Sequence, residues 1–326
     1  MSTEAWPPVP ARITEAEVGI GEQLARGGAS TVFSVLGQRK TLLYKRYNKP
    51  RNAVDLDQLV GALGGWGENA IDHVRGTLAW PVATVVDGDQ ASGALVVRAA
   101  AEFHLTLPSG RVKVRDFNFL LYEKRAEKLG VPRATDREKV DLLRGLLDVL
   151  LWLDEHGFVH EDLASHNLLW KLDPPEVFVL DCDSLRPLAG DSRSPLYTTV
   201  DWTDPRVLTA EVERPDRAST SYVLGLLAPR TLVSPYWYPG DPLPAERFPA
   251  ALTELVGRSC GPAASRPSLT EWGRGLDAAS AQTTGTVVEP APVRDPAVVR
   301  LADRWVFAGG LLFGALVAVF VLVSFV

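Results

Sequence analysis

The sequence predicts an α+β fold, with a β-rich N-terminal part, a mainly helical C-terminal part and a last helix long enough to cross a membrane. Three observations predict it. Between residues 15 and 97, apolar and β-branched runs alternate with small-residue turns, the pattern of antiparallel hairpins. From Thr135 onward the main period is helical. From Trp305 to Val326 the chain runs 22 residues without a charge.

Composition narrows the function classes. A net charge of −6 and the lack of a long basic run argue against nucleic acid as a partner. Cys182 and Cys260 are the only cysteines, so no disulfide framework is indicated and a reducing cytosol is expected. The opening MSTEAWPPVP carries Glu4 and three prolines and no apolar run, unlike a signal peptide. Residues 1–14 are expected to be a disordered lead-in.

Taken in order, the first element is a hairpin. Its strands flank Arg26-Gly27-Gly28-Ala29-Ser30, and a third strand follows over Thr41–Tyr47. A small-residue tip of this kind can turn backbone N–H groups toward phosphates. Residues 53–63, AVDLDQLVGAL, have a helical pattern, and Glu68 lies beyond Gly64-Gly65, past the expected helix end. A second hairpin turns at Asp87-Gly88-Asp89. Segment 103–134 is expected to be a solvated strand or insertion. It holds a basic run, Arg111 to Arg115, and an apolar cluster, Phe117–Tyr122. Thr135-x-x-Glu138 is a capping box. Behind it Val140, Leu143, Leu147 and Leu150, with Leu142, Leu146, Val149 and Leu153, make a wide apolar surface, so this long helix is buried. Gly157 ends it.

The chemistry gathers after that glycine, in GFVHEDLASHNLLWKLDPPEVFVLDCDS. Asp162 lies two residues after His160, Asn167 five further on, and Asp181 fourteen beyond that. Leu168–Trp170 and Val177–Leu180 are expected strands joined by a turn at Asp173-Pro174-Pro175. A loop aspartate, an asparagine at the loop's end and an aspartate after the second strand would converge. That set suits phosphoryl transfer: one carboxylate accepts the proton of an attacking hydroxyl, and an amide oxygen and a second carboxylate hold Mg²⁺ on nucleotide phosphates. His156, His160 and His166 follow no standard zinc spacing and are expected to be structural.

This stretch resembles the core of the eukaryotic-type protein kinases, whose signature is H-R-D-L-x-x-x-N followed by D-F-G. The resemblance covers residues 15–276 and implies a two-lobed kinase-like fold, with a small β-rich N-terminal lobe and a mainly helical C-terminal lobe. It implies ATP and Mg²⁺ (or Mn²⁺) as cofactors. Asp162 would be the base or hydroxyl-orienting residue, Lys45 in LLYKRY would contact the α- and β-phosphates, and Asn167 and Asp181 would hold the metal. The first hairpin is similar to the family's G-x-G-x-x-G-x-V loop, with Ala25, Gly27 and Ser30 at the three glycine positions. Leu24 and Val32 would cover the nucleotide, and Leu169 would support the adenine from below. Asp57 or Asp55 would stand in for the family's glutamate as partner of Lys45. Residues 98–102 would be the hinge whose backbone binds adenine.

The departures from the family pattern carry expectations of their own. Glu161 replaces the arginine that receives an activation-loop phosphate and would repel one. Ala164 replaces a lysine, leaving His166 as a candidate for the γ-phosphate. D-C-D replaces D-F-G, which suggests a magnesium loop without the usual in/out switch. TTVDWTDPRVL looks like T-x-x-Y-x-A-P-E, with Asp204-Pro205-Arg206 in place of A-P-E. Arg266 in SRPSLTEW would then pair with Asp204. Thr220 replaces the aspartate that anchors the catalytic-loop backbone in the family.

The function this implies is transfer of the γ-phosphate of Mg-ATP to Ser/Thr hydroxyls of protein substrates. One alternative is a pseudokinase that binds nucleotide or a partner without transfer, supported by the altered glycine loop and the lost ion pairs. A second is a small-molecule phosphotransferase of the aminoglycoside type, which shares H-x-D-x-x-x-x-N. The glycine-loop likeness and the S-R-P-S stretch speak against it.

Residues 277–303 are expected to be a linker and 304–326 a transmembrane helix. Twenty-two helical residues span about 33 Å against a hydrocarbon core of about 30 Å. Arg294, Arg300 and Arg304 precede the apolar run, so the kinase-like part is expected in the cytoplasm, held to the cell membrane by a single-pass C-terminal anchor. Gly310, Gly314 and Ala318 form a small-residue stripe on which a homodimer could pack.

Overall fold

In the computed structural model the protein is α+β, with strands concentrated in the N-terminal part and helices in the C-terminal part; the structure describes residues 9–189, 195–283 and 285. The chain divides into two compact units. One comprises the described residues up to 72 together with 80–98, and the other residues 73–79 together with those from 99 onward.

The first unit is built on one six-stranded sheet in the order β1-β5-β6-β4-β3-β2. The strands are β1 (Arg12–Thr14), β2 (Ile20–Arg26), β3 (Ser30–Val35), β4 (Leu42–Asn52), β5 (Pro81–Asp87) and β6 (Gln90–Val97). All neighbours are antiparallel except β1 on β5. β3 alternates half-buried and buried residues, as a strand with one covered face must. Gly93 of β6 allows a close approach: a Cβ there would lie 2.5 Å from the Lys45 carbonyl oxygen. Helix α1 (Ala53–Ala62) is capped by the Asn52 side chain, which accepts from Val54 N–H, and it buries Leu56, Leu59 and Val60. Trp80, fully buried, donates its indole N–H to the Leu59 carbonyl at 2.9 Å.

Two expectations change here, and one element is added. Residues 12–14 are a strand rather than part of a disordered lead-in, because parallel pairing of Arg12–Thr14 with Thr84–Val86 satisfies their backbone and buries Ile13. A three-residue strand is too short to leave a period in the sequence. Glu68 opens a further helix, α2 (Glu68–Thr77), after a tight turn at Leu63–Gly65. The third strand runs on to Asn52, with an irregularity in its pairing to β6 between Arg46 and Arg51.

The second unit is organised around α5 (Asp136–Glu155). The Thr135/Glu138 capping box forms as expected, with Glu138 accepting from Thr135 N–H at 2.7 Å. Both apolar rows of α5 are buried, and Gly157 takes φ +80° just past its end. Ahead of α5 come the exposed hairpin β7 (His104–Thr106) and β8 (Val112–Val114) and the short helices α3 (Phe117–Leu121) and α4 (Glu123–Glu127). Segment 103–134 is therefore solvated over its basic run, but its apolar cluster is core: α3 is capped by Asp116 and buries Phe117, Phe119, Leu120 and Leu121. After α5 follow β9 (Phe158–His160), β10 (Leu168–Lys171), β11 (Glu176–Val179) and β12 (Leu185–Pro187); β10 pairs with β11, and β12 pairs back on β9. Helices α6 (Pro205–Leu208), α7 (Arg217–Leu232), α8 (Ala250–Ser259) and α9 (Leu269–Gln282) complete the unit. Gly225 lets α7 approach α8, since a Cβ there would lie 2.5 Å from Ser259 Cβ. Trp272 closes the same junction, its indole facing the Ser221 and Ser259 hydroxyls at 3.3 and 3.2 Å.

The expected linker overlaps α9, which continues to Gln282. Trp305–Val326, and with it the Gly310/Gly314/Ala318 stripe, lies outside the described residues. Among the described residues no helix is long and apolar enough to cross a membrane.

Candidate functional site

The loop between β9 and β10 is built by its own polar groups. His160, buried at the end of β9, accepts the Asp162 N–H on Nδ1 at 3.2 Å and meets the Leu180 carbonyl with Nε2 at 2.9 Å. A ring nitrogen that accepts leaves the other to donate, so the geometry fits the neutral Nε2–H tautomer. Asn167 donates its amide to the Asp162 carbonyl at 2.8 Å and to Asp162 Oδ2 at 3.4 Å. Its backbone carbonyl accepts from Leu180 N–H at 2.7 Å. Asp162 and Asn167 are thus joined, and the loop is stitched to the residue before Asp181.

Asp181 has φ +55° and ψ +32°, in the left-handed region. Aspartate tolerates this better than most residues, and such backbone strain gathers at functional positions. The Ser184 N–H and hydroxyl both close on the Asp181 carbonyl, at 2.9 and 2.7 Å. Cys182 points inward, fully buried, with its thiol 3.3 Å from the Val179 carbonyl. Asn167 and Asp181 offer an amide oxygen and a carboxylate, hard donors that suit Mg²⁺. Among the described residues no three His, Cys, Asp or Glu side chains cluster as a metal site.

The segment after β12 closes on this loop. Thr199 N–H donates to Asp162 Oδ1 at 2.8 Å, so a backbone amide orients the carboxylate from the far side of Asn167. Glu161 is buried and held by two arginines: Arg186 Nε at 3.2 Å, and Arg214 Nη1 at 2.9–3.0 Å. Through these arginines Glu161 ties β12 and the stretch before α7 to the loop. Asp204 is bound in bidentate fashion by Arg266, as the substitution of D-P-R for A-P-E implies. Arg206, which the sequence left unassigned, bridges Asp204 and Asp216. Burial pushes the Asp204 carboxyl up, but the hydrogen bonds from Arg266, Arg206 and Ser219 outweigh it and hold the pKa at about 2. Thr220 does not reach the loop backbone: its hydroxyl turns to the Asp216 carbonyl, 3.4 Å away in its own first helical turn. A threonine is too short to leave its helix where an aspartate would.

Behind the loop, Ser165 donates its hydroxyl to Asn118 Oδ1 at 2.9 Å, and the Trp170 indole donates to the Asp116 carbonyl at 2.9 Å. Burial lifts the Asp116 carboxyl to about 7 against the Asn118 and Phe119 N–H groups that favour its charge. Leu169, fully buried on β10, bridges to Asp116. His166 is exposed, and His156 turns Nδ1 to the Trp152 carbonyl at 2.8 Å.

In the first unit, Ala25, Val32, Lys45 and Ala94 are successive cross-strand partners on β2, β3, β4 and β6. Direct partners share a face, so these residues form one row across the sheet. Lys45 is buried in it at 7% exposure, Val32 is half-buried, and Leu24 and Ala25 are exposed. Gly27 N–H closes the hairpin on the Ser30 carbonyl at 2.8 Å. Asn48, which no sequence pattern marks, ties this tip to β4 through its amide, donating to the Gly27 and Gly28 carbonyls at 3.3 and 2.7 Å. Asp57 is engaged elsewhere than at Lys45, by Arg12 and by the Thr84 hydroxyl at 2.7 Å. Its position on α1 directs it to β1 and β5.

Of the predicted residues, then, Asp162 and Asn167 are joined directly in the second unit, with Leu169 on the strand that follows and Asp181 next to the residue bonded to Asn167, and Ala25, Val32 and Lys45 share one row in the first. Missed from sequence were Thr199, Arg186 and Arg214. Thr199 acts through its backbone, and the two arginines lie 25 and 53 residues from the glutamate they hold, beyond any local pattern. No family model matches the chain, and no curated protein matches it.

Proposed function

We propose that the protein is a membrane-tethered, ATP-dependent kinase with a two-lobed, protein-kinase-like fold that transfers phosphate to Ser/Thr hydroxyls of protein substrates. The observation that carries this reading is the Asp162 carboxylate, clamped between the Asn167 amide and the Thr199 N–H in a loop stitched to the residue before Asp181. A carboxylate so oriented can accept the proton of an attacking hydroxyl. Asn167 and Asp181 are the residues that would hold Mg²⁺, which when bound neutralises the phosphate charge of the nucleotide. Lys45, buried in its row of small and apolar partners, is assigned to the α- and β-phosphates by its likeness to the family lysine. The buried Glu161–Arg186–Arg214 cluster supports an activation segment ordered without phosphate. The tether rests on the charge-free run from Trp305 to Val326.

Incubation with labelled ATP and Mg²⁺ or Mn²⁺, scored for autophosphorylation and for transfer to generic protein acceptors, tests the reading. Transfer that disappears in Asp162→Asn is the expected result. Mg-ATP binding without transfer in wild type would make the protein a nucleotide-binding scaffold instead.

A further inference from the structure

We infer that Arg230 is a positioning residue for the Asp162 carboxylate, acting through the turn 199–202; the inference rests on the phosphotransfer reading of that carboxylate. Arg230 lies near the C-terminal end of α7 and is 4% exposed. Among the described residues no carboxylate pairs with it. Instead Nη1 donates to the Asp201 carbonyl at 2.9 Å and Nε to the Trp237 carbonyl at 3.2 Å. The guanidinium carbon lies 4.5 Å from the Trp202 ring centroid and 5.2 Å from that of Tyr238. A buried cation with no carboxylate in ion-pair range is costly; two carbonyl dipoles, two ring faces and the more distant Asp201 charge return only part of that cost. The arrangement gains a fixed turn.

Each link of that turn is a short contact. Asp201 and Trp202 belong to a single 3₁₀ turn, Val200–Trp202, in which Trp202 N–H donates to the Thr199 carbonyl at 2.8 Å. The Thr203 hydroxyl donates to the same carbonyl at 2.8 Å. The Thr199 N–H is then free to face one way, onto Asp162 Oδ1 at 2.8 Å. Arg230 holds the turn by a backbone oxygen and by an aromatic face at once. A planar fork can do both, and a lysine ammonium cannot. Loss of the clamp would let the turn open and release Asp162 Oδ1 from the Thr199 N–H, leaving the Asn167 amide as the remaining hold on the carboxylate.

The test compares wild type, Arg230→Met and Arg230→Lys as full chains, by hydrogen exchange and by steady-state transfer. Exchange over residues 199–203 should quicken about tenfold in Arg230→Met, the effect of losing one anchoring hydrogen bond. Amides of α7 over 222–228 should keep their protection. The turnover rate should fall by a similar factor while the Mg-ATP thermal shift is retained. Arg230→Lys should lie between the two in both readouts. Unchanged exchange at 199–203 in Arg230→Met would overturn the clamp, as would equal loss of protection along α7, which would mark a merely structural side chain. A wild type that binds Mg-ATP and never transfers removes the phosphotransfer reading, and with it the role of Arg230 in transfer; the exchange result still decides whether Arg230 holds the turn.

Discussion

Asp162 and Asp181 differ in what they would touch, and single substitutions separate them. Asp181 is assigned to the metal on the nucleotide, so Asp181→Asn should weaken Mg-ATP binding. Under the proposed function Asp162 would face the acceptor hydroxyl, so Asp162→Asn should abolish transfer and keep nucleotide. Ligand at 100 times its dissociation constant adds about 2.7 kcal/mol of stability. In a domain of this size that is a melting shift of about 5–10 °C. Thermal scans should show it in wild type and Asp162→Asn and show less of it in Asp181→Asn; equal shifts in all three would remove the metal role of Asp181. A second residue-scale effect is Asp204. Its folded pKa, about 2, lies below the unfolded value of about 3.9. The folded state therefore holds the proton less tightly, and the contribution of Asp204 is complete above about pH 4 and is lost as pH falls through about 2. Denaturant midpoints measured from pH 5 down to pH 2 should fall more steeply in wild type than in Asp204→Asn. At this scale the sequence was most legible where chemistry is local. His160, Asp162, Asn167 and Asp181 stand at fixed spacing along one loop and hairpin, and Asp204 was expected to take Arg266. Where the Thr220 hydroxyl turns was not legible, because a hydroxyl's reach depends on helix geometry that spacing does not report.

At the scale of elements, capping and period did most of the work. The Thr135/Glu138 box and the two apolar rows of α5 mark a buried helix in sequence and in structure alike. What stayed hidden was pairing at long range: β1 on β5, β12 on β9, and the joining of Glu161 to Arg186 and Arg214. Three-residue strands have no period to read, and ion pairs formed across folded segments leave no spacing. That cluster makes its own prediction. Glu161 is 7% exposed in its side chain, with both arginines nearly as buried. Removal of one member of a buried ion cluster strands the others, at about 3–5 kcal/mol. Glu161→Ala should lower stability by that order, and phosphatase treatment of wild type should leave its transfer rate intact. A large loss on dephosphorylation would show that phosphate holds the segment after all. Gly225 carries a further prediction. Gly225→Ala should push α8 from α7 at about 1–3 kcal/mol, and Ser259→Gly in the same chain should recover part of that in thermal melts.

For the molecule as a whole, the α+β division was legible because strand and helix periods segregate along the chain. The kinase-like reading came from one loop, since the substituted glycine positions offered little; the row Ala25–Val32–Lys45–Ala94 shows only that Lys45 stands in register with that hairpin. The proposed tether predicts partition. A chain ending after Pro292 should stay in the supernatant on membrane sedimentation, and the full chain should pellet; recovery of the short form with membranes would count against the anchor. Cross-linking of the full chain should weaken in Gly314→Leu if the small-residue stripe joins two copies.

The arginine pair on Glu161 has one more consequence. A latch written in side chains is installed at synthesis and carries no memory of earlier signals. Under the proposed function, output would then follow gene dosage, turnover of the protein and the supply of acceptor at the membrane, and a cell that needed less of it would have to make less or destroy more.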